Sequence, residues 1–131
     1  MLEISRCVSE AIHAAAGASP DAEVCGLLFG DAARITGHLA CRNVAPDPRR
    51  RFEIDPQALI ASHRAARRGG PAIVGCYHSH PSGPAVPSPR DAAAAEPNGW
   101  IWLIVGQGMA GCWRAMPGGF EPVPFVVATF G

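Results

Sequence analysis

The sequence predicts a mixed α/β (α+β) fold, in which one mixed β-sheet is flanked by two main helices and one short helix. Short apolar runs are typical of buried strands, and two stretches repeat their apolar residues at helical spacing. The 15 glycines and 13 prolines are about twice the average share, so loops are numerous. The length is that of one domain, which we expect to span residues 1–131.

Continuous or alternating apolar residues predict the strands of this sheet. In chain order they are the segments 2–4, 24–29, 34–44, 52–54, 72–77, 100–105 and 111–116, and a last strand near 120–128. The second and third segments are predicted to pair through Gly30–Asp31, and the sixth and seventh form another hairpin. The fifth segment runs directly into His78-Ser79-His80.

Capping residues and stop signals predict the three helices. The first covers 5–17, with Ser5 as N-cap and Gly17 as the stop. The second starts at Asp55-Pro56, with aspartate as N-cap and proline in the first turn, and ends at Gly69-Gly70. The third starts at Ser88-Pro89 in the same way and is stopped by Pro97.

Composition and charge exclude several classes of protein. A formal net charge of zero argues against a general nucleic-acid-binding protein, and 48% hydrophobic residues argue against a disordered chain. No apolar run approaches the ~20 residues of a membrane span, and the N-terminal sequence lacks the apolar core of a signal peptide. The five cysteines are scattered and odd in number, so we expect reduced thiols in a cytoplasmic protein.

The residues most typical of chemistry lie in the segment 75–91. His78 and His80 are two apart on an extended strand, so both imidazoles point to the same side and can converge on one ion. Imidazoles suit zinc, copper, iron or nickel rather than calcium or magnesium. A catalytic zinc takes three protein ligands and leaves a position for water, and Asp91 is the candidate for the third ligand.

Asp91 also has a local explanation. Ser88 followed three residues later by an acid is a capping-box pattern, with Pro89 in the first helical position. The two explanations are compatible, because the helix dipole stabilises a carboxylate in the first turn as an anion, which is the form that a metal binds. The Ser88 hydroxyl can likewise accept a backbone N–H and still direct its own proton at a substrate oxygen.

The stretch HSHPSGPAVPSPRD, from His78 to Asp91, resembles the signature of the JAMM (MPN+) metalloproteases: HxH, seven residues, Ser, two residues, Asp. That family also carries a glutamate just ahead of a GLL-type strand, and Glu23 stands at this position. The resemblance extends over nearly the whole chain and implies a single JAMM/MPN domain. It implies one zinc ion per chain, bound by His78, His80 and Asp91 with water as the fourth ligand.

The resemblance further implies that Glu23 is the general base and that Ser88 stabilises the oxyanion. The position of Glu23 depends on the family register alone. By spacing, Glu10 or Asp21 could equally be the base, and Glu23 could be a solvated residue ahead of a strand.

Other prominent residues receive structural interpretations. His13, His38 and His63 are expected at the surface or in packing. Cys25 and Cys76 are expected in the core. Trp100, Trp102 and Trp113 are expected in core or dimer packing rather than in substrate stacking. The arginines at 49–51, 64, 67 and 68 are expected to form a solvated face, with a docking patch for an acidic partner as the alternative.

Short stand-alone bacterial members of the family resemble this chain in length and motif spacing. They imply a peptidase or isopeptidase that cuts after the C-terminal Gly-Gly of a ubiquitin-like sulfur-carrier protein and releases an attached cysteine, peptide or protein. The 40 residues after Asp91 leave little room for the insertion with which eukaryotic relatives hold ubiquitin chains, which favours a sulfur carrier. We expect the proline-rich loop 81–87 to form one wall of the groove for the tail.

Two alternative functions remain. A non-catalytic MPN scaffold would only bind partners, but scaffolds usually lack one or more ligands, and all five signature positions are present here. DNA-repair-associated relatives share a similar HPSGxxxPSxxD loop, but they usually have Asn where this chain has Ser79, and they carry a further DNA-binding region. We therefore expect neither a nucleic-acid nor a membrane partner, and a homodimer is possible.

Overall fold

A computed structural model describes residues 1–130, so Gly131, the last residue of the predicted domain, lies outside the described residues. Eight strands are described: β1 (Leu2–Ser5), β2 (Cys25–Gly30), β3 (Arg34–Cys41), β4 (Ile73–His80), β5 (Ile101–Gly106), β6 (Met109–Met116), β7 (Gly119–Pro122) and β8 (Phe125–Ala128). The three helices in the same residues are α1 (Arg6–Gly17), α2 (Pro56–Arg67) and α3 (Pro89–Ala94).

The strands form one mixed sheet in the order β7-β6-β5-β4-β2-β3-β1-β8. The central strand β4 runs antiparallel to β2 and parallel to β5. Cys25, the first residue of β2, is paired with His78 near the end of β4. Because the strands are antiparallel, the residues that precede β2 lie beside the last residues of β4. The sheet register therefore brings Glu23 next to the HxH segment.

The sheet is strongly curled. β7 and β8 lie at its opposite edges, yet only residues 123 and 124 separate Pro122 from Phe125 along the chain. Three steps between α-carbons span at most about 11 Å, so the two edges approach each other. Curling follows from the right-handed twist that accumulates over many strands.

Side chains alternate between two cores on the two faces of β4. Tyr77 belongs to the larger core, which α1 covers with Val8 and Ile12. Cys76 points to the opposite face, into a smaller core with Trp102 and partly buried aromatic residues. The same alternation places His78 and His80 on the Cys76 face, beside α3. The predicted core positions of Cys25, Cys76 and Trp102 are confirmed, and all five cysteines are free thiols.

Most predicted elements are confirmed, and three predicted strands differ. The predicted strand 34–44 ends at Cys41. The predicted strand 52–54 is reduced to one bridge between Asn43 and Ile54, because the Asn43 side chain forms hydrogen bonds with the backbone of residues 51 and 53. The predicted strand near 120–128 is divided into β7 and β8, since Pro124 has no N–H for a ladder. Within residues 1–130, every helix falls short of the length and hydropathy needed to cross a membrane.

Candidate metal centre

Three side chains from two elements converge at the end of β4. Nε2 of His78 lies 3.1 Å from Nε2 of His80, and Oδ2 of Asp91 lies 3.1 Å and 3.0 Å from these two nitrogens. His78 and His80 come from β4, while Asp91 is brought over by the first turn of α3. The sequence-predicted ligand set is therefore assembled in space.

These three atoms fit one zinc ion. Ligand atoms at the usual zinc bond lengths of about 2.0–2.2 Å lie roughly 3.3–3.6 Å apart in a tetrahedron, close to the 3.0–3.1 Å separations found here. Two imidazoles and one carboxylate form a donor set that suits zinc and leaves one coordination position for water. Nδ1 of His80 lies 2.8 Å from the carbonyl oxygen of Pro84, so it can donate there and leave Nε2 free to bind a metal.

Asp91 both caps its helix and places a carboxylate oxygen beside the two histidines. Its backbone N–H donates to Oγ of Ser88 at 3.1 Å, and its Oδ2 accepts the backbone N–H of Ser88 at 2.9 Å. This is the capping box that the sequence predicted. Burial opposes ionisation, but the hydrogen bonds from His78, His80 and Ser88 hold the pKa of Asp91 well below its usual range. The carboxylate is therefore kept as an anion.

The two histidines differ in their surroundings. His78 is fully buried, and Phe52 stacks on its ring at 4.3 Å between centroids. Burial lowers the pKa of His78, so its contact with Asp91 involves a neutral imidazole and is not an ion pair. The hydrogen bond with Asp91 instead raises the pKa of His80, which is partly buried. A neutral His78 suits a metal ligand, because ligation needs an unprotonated ring nitrogen.

Glu23 lies beside this cluster and is held through its backbone. Its N–H donates to the carbonyl of Pro48 at 2.7 Å, and its own carbonyl accepts a hydrogen bond from the side chain of Asn43 at 3.0 Å. The next residue, Val24, donates its N–H to Oγ of Ser79 at 2.9 Å. The segment ahead of β2 is thereby fixed both to β4 and to the loop before α2.

The Glu23 carboxyl group is buried and poorly satisfied. Glu23 is 5% exposed, and its Oε1 atom has no hydrogen-bond partner within residues 1–130. Burial raises the pKa of Glu23 from 4.5 to about 7; Asp91 adds to this, while His80 and Arg90 oppose it. A carboxyl group with a pKa near neutrality can accept and return a proton. The alternatives Glu10 and Asp21 are both exposed.

Two possible triads share the histidines. The ligand atoms of Glu23, His78 and His80 lie within 4.8 Å of one another, whereas those of the set with Asp91 are 3.0–3.1 Å apart. The closer set is the better metal site, because its spacing already matches a shared ion. Asp91 is also the anionic carboxylate of the two, and Glu23 has the pKa of a proton acceptor.

An open groove leads to the cluster. It has a volume of about 450 Å³ and is lined by Glu23, Arg49, Arg50, His80, Ser88 and the loop residues 81–84, 86, 87 and 89. The predicted proline-rich wall is therefore part of this groove. Ser88 faces it with a hydroxyl whose oxygen accepts the Asp91 N–H, which leaves the hydroxyl proton available to a bound molecule.

Three residues that support the site were not predicted from the sequence: Asn43, Phe52 and Ser79. Asn43 makes four hydrogen bonds: it donates to the carbonyls of Glu23 and Arg51 and accepts the N–H groups of Ala45 and Glu53. Nothing in its local sequence indicates these contacts. The orientation of Ser79 could be predicted in part, because strand alternation turns its side chain to the face of the sheet opposite His78 and His80.

The histidines outside the HxH segment lie at the surface or in packing contacts, as predicted. His63 stacks near Trp100 with 6.3 Å between ring centroids, and His38 meets Tyr77 edge-on at 6.1 Å. The two remaining tryptophans, Trp100 and Trp113, are partly buried against the smaller core.

Comparison with known proteins identifies the family. Residues 5–117 match the family of prokaryotic homologs of the JAB domain. The chain belongs to this family. It is a hydrolase of the JAMM type with the mixed α+β fold of JAB/MPN domains, so the predicted family, fold and class of enzyme are confirmed.

Individual relatives agree with this assignment. A desampylase of Haloferax volcanii is 42% identical over 70% of this chain and 69% of its own length. A probable TtuB-protein conjugate cleaving protease of Thermus thermophilus is 47% identical, but over only 41% of this chain and 36% of its own length.

Solved structures share the fold. A protein from Desulfitobacterium hafniense is similar with a TM-score of 0.85 at 23% identity, over 99% of this chain and 94% of its own. A chain described as a JAMM metalloprotease-like zinc site is similar with a TM-score of 0.63 at 20% identity, over 98% of both chains.

Proposed function

We propose that this hydrolase is a zinc-dependent peptidase or isopeptidase that cuts the amide bond after the C-terminal Gly-Gly of a ubiquitin-like sulfur-carrier protein. The products are the Gly-Gly-ended carrier and a released cysteine, peptide or protein. The observation that carries the proposal is the convergence of His78, His80 and Asp91 donor atoms within 3.0–3.1 Å, beside the buried carboxyl group of Glu23.

In this proposal His78, His80 and Asp91 hold one zinc ion per chain. When bound, zinc supplies an acidified water molecule and polarises the carbonyl group of the substrate. Phe52 and the backbone carbonyl of Pro84 keep the two imidazole rings in place, by stacking on His78 and by accepting a hydrogen bond from His80. Such support from the surroundings keeps the ligands oriented between turnovers.

Glu23 acts as the proton carrier. Its carboxylate accepts a proton from the attacking water and then delivers a proton to the nitrogen of the leaving amine. The raised pKa of about 7 suits both transfers, because the group binds and releases a proton near neutral pH. Its position is maintained by the hydrogen bonds of Asn43 and Ser79 to the backbone of residues 23 and 24.

Ser88 stabilises the negative charge that develops on the carbonyl oxygen. Its hydroxyl faces the groove and its oxygen is held by the backbone N–H of Asp91. A fixed donor of this kind stabilises the transition state more than the ground state, because charge on the oxygen is greatest there.

The groove and the relatives support the substrate class. A Gly-Gly tail is thin, and the loop 81–87, which contains three prolines in seven residues, offers a wall whose shape is fixed before binding. The Haloferax relative is a desampylase and the Thermus relative a probable cleaving protease for TtuB-protein conjugates. The free thiols of the chain fit the cytoplasmic location that we propose for the reaction.

The test uses a ubiquitin-like sulfur-carrier protein ending in Gly-Gly and extended by a short peptide. Mass spectrometry is expected to show trimming back to Gly-Gly, abolished by a chelator and restored by zinc. A His78→Ala/His80→Ala double variant is expected to be inactive and to lose its zinc, whereas the matched control His63→Ala retains both. A carrier with alanine as its last tail residue is expected to resist cleavage.

Two results would contradict the proposal. Full zinc content in the double variant, measured by elemental analysis, would show that the metal lies elsewhere. Efficient cutting of lysine-linked ubiquitin chains, with the extended sulfur carrier untouched, would overturn the substrate class and leave the hydrolytic site in place.

A further inference from the structure

A second opening, here called the arginine cavity, also reaches the metal-ligand cluster. It has a volume of about 280 Å³ and is lined by Arg51, Phe52, Arg90, Asp91, Ala93 and Ala94. It shares no lining residue with the groove that contains Glu23, His80 and Ser88. The cluster thus borders the groove through His80 and the arginine cavity through Asp91, and these two openings are separate. One is assigned to the Gly-Gly tail, and the other is free for the group on the far side of the bond that is cut.

The arginine cavity carries an excess of positive charge. Within residues 1–130, neither Arg51 nor Arg90 forms an ion pair with a carboxylate, and Arg90 donates only to the carbonyl of Arg50, at 3.4 Å. The one acidic residue of its lining, Asp91, already directs Oδ2 at both histidines and the Ser88 N–H. Guanidinium groups bind carboxylates through paired hydrogen bonds, so this opening suits a carboxylate.

The size of the cavity points to a small group. Its volume lies just below the ~300 Å³ lower end of small-molecule sites, which leaves room for an amino acid but not for a folded protein. Phe52, Ala93 and Ala94 supply an apolar wall for a side chain or an aliphatic stem. The cavity therefore combines a carboxylate-binding edge with a modest apolar surface.

The loop that carries Arg51 is attached to the segment that carries Glu23. The side chain of Asn43 donates to the carbonyls of both residues, at 3.1 Å and 3.0 Å. The Pro48 carbonyl of the same loop accepts the Glu23 N–H at 2.7 Å. A group held by Arg51 would therefore stand in a fixed relation to the proton carrier, as the departure of an amine requires.

We propose that the arginine cavity binds the α-carboxylate of the amino acid that leaves, so that the preferred substrates carry a single amino acid after Gly-Gly. This inference rests on the proposed function. The reaction consumes one water molecule, breaks the amide C–N bond, and yields the carboxylate of the tail and the free amino acid. It needs no other reactant.

The test compares two substrates that differ at one group. Both are a ubiquitin-like protein ending in Gly-Gly and extended by one alanine, with a free carboxylate in one form and a carboxamide in the other. Wild type is expected to favour the carboxylate in kcat/KM by roughly tenfold or more, the effect of one charged hydrogen-bonded contact. The Arg51→Gln/Arg90→Gln double variant is expected to bring this ratio close to one.

Comparing the two substrates as a ratio of kcat/KM cancels an indirect effect of the Arg90 substitution. Arg90 also lowers the pKa of Glu23, so its loss alters the proton carrier for both substrates alike. Arg64→Gln, an exposed arginine of α2 that lines neither opening, is the matched control and is expected to keep the wild-type ratio. Equal rates for the two forms in wild type, or a preference that persists in the double variant, would overturn the inference.

Binding separates this inference from the proposed function. Calorimetric titration of both forms into the Glu23→Gln variant measures recognition without turnover. One outcome is that wild type cuts neither form, while the Glu23→Gln variant binds the carboxylate form more tightly and the arginine substitutions remove that difference. In that case carboxylate binding by the arginine cavity is supported and the proposed hydrolysis is wrong. If there is neither turnover nor preferential binding, both are wrong.

Discussion

Replacing Glu23 by glutamine is expected to stabilise the metal-free protein at high pH while it destroys activity. Glu23 is 5% exposed and its Oε1 atom lacks a partner in the described part of the chain, so its ionised form is poorly solvated. Burial raises the pKa of Glu23 from 4.5 to about 7 in the folded state. Between these two values the folded state holds more protons than the unfolded state, so stability falls as pH rises through this window.

The size of the effect follows from the same pKa. One pKa unit corresponds to about 1.4 kcal/mol, so ionising Glu23 in the folded protein costs about 1–3 kcal/mol, the lower end allowing for solvent that enters through the groove. Glutamine cannot ionise. The quantity to compare is the free energy of unfolding of Glu23→Gln minus that of wild type. This difference should be larger at pH 8 than at pH 5 by about the same amount.

The assay is urea unfolding of both proteins in a chelator at the two pH values, with Glu10→Gln, an exposed glutamate of α1, controlling for the loss of one carboxylate. In zinc, the variant should retain the metal and lose at least ~10²-fold in turnover, the low end for losing acid–base catalysis. A stability difference that does not change with pH would refute the desolvated Glu23. Wild-type turnover would refute its role as proton carrier.

Three further substitutions test the support of the site. Ser88→Ala should retain zinc and lose roughly 10²–10³-fold in turnover, as for removal of one oxyanion donor. Loss of zinc would instead make Ser88 a support for the Asp91 carboxylate. Asn43→Ala removes four hydrogen bonds and should cost about 1–3 kcal/mol in urea unfolding, with a fall in turnover at unchanged zinc content. Gly75→Ala places a Cβ atom 1.9 Å from the carbonyl oxygen of Ile101 and should cost at least ~2 kcal/mol, whereas Gly118→Ala, with open space around it, should change stability by less than ~0.5 kcal/mol.

The candidate ligand set could be predicted from sequence because its geometry is local. Strand alternation alone turns His78 and His80 to one side, and the capping box alone fixes Asp91 in the first turn of a short helix. The loop between them has ten residues and closes beside the end of β4. The candidate metal centre therefore lies within a single run of residues.

Glu23 and its supports could not be predicted in this way. Glu23 reaches the cluster because β2 pairs antiparallel with β4 in the register that sets Cys25 against His78, a pairing over fifty residues apart in sequence. The hydrogen bonds of Asn43, the edge positions of β7 and β8, and the cavity that Arg51 and Arg90 both line depend on the same long-range packing. The resemblance to a family located Glu23, whereas spacing left other acids as alternatives.

The site lies where the sheet can tolerate buried groups that lack partners. Glu23 Oε1 and His78 Nδ1 are both buried without a hydrogen bond in residues 1–130, and each such group typically costs about 1–3 kcal/mol. Both sit at the junction of β2 and β4, the two central strands, where Leu27, Leu28 and Tyr77 are at most 1% exposed. The apolar packing of these strands offsets the cost and keeps the polar groups rigid. A desolvated carboxyl group with a raised pKa can exist only against such a scaffold, since a looser one would admit water and return Glu23 to an ordinary acid.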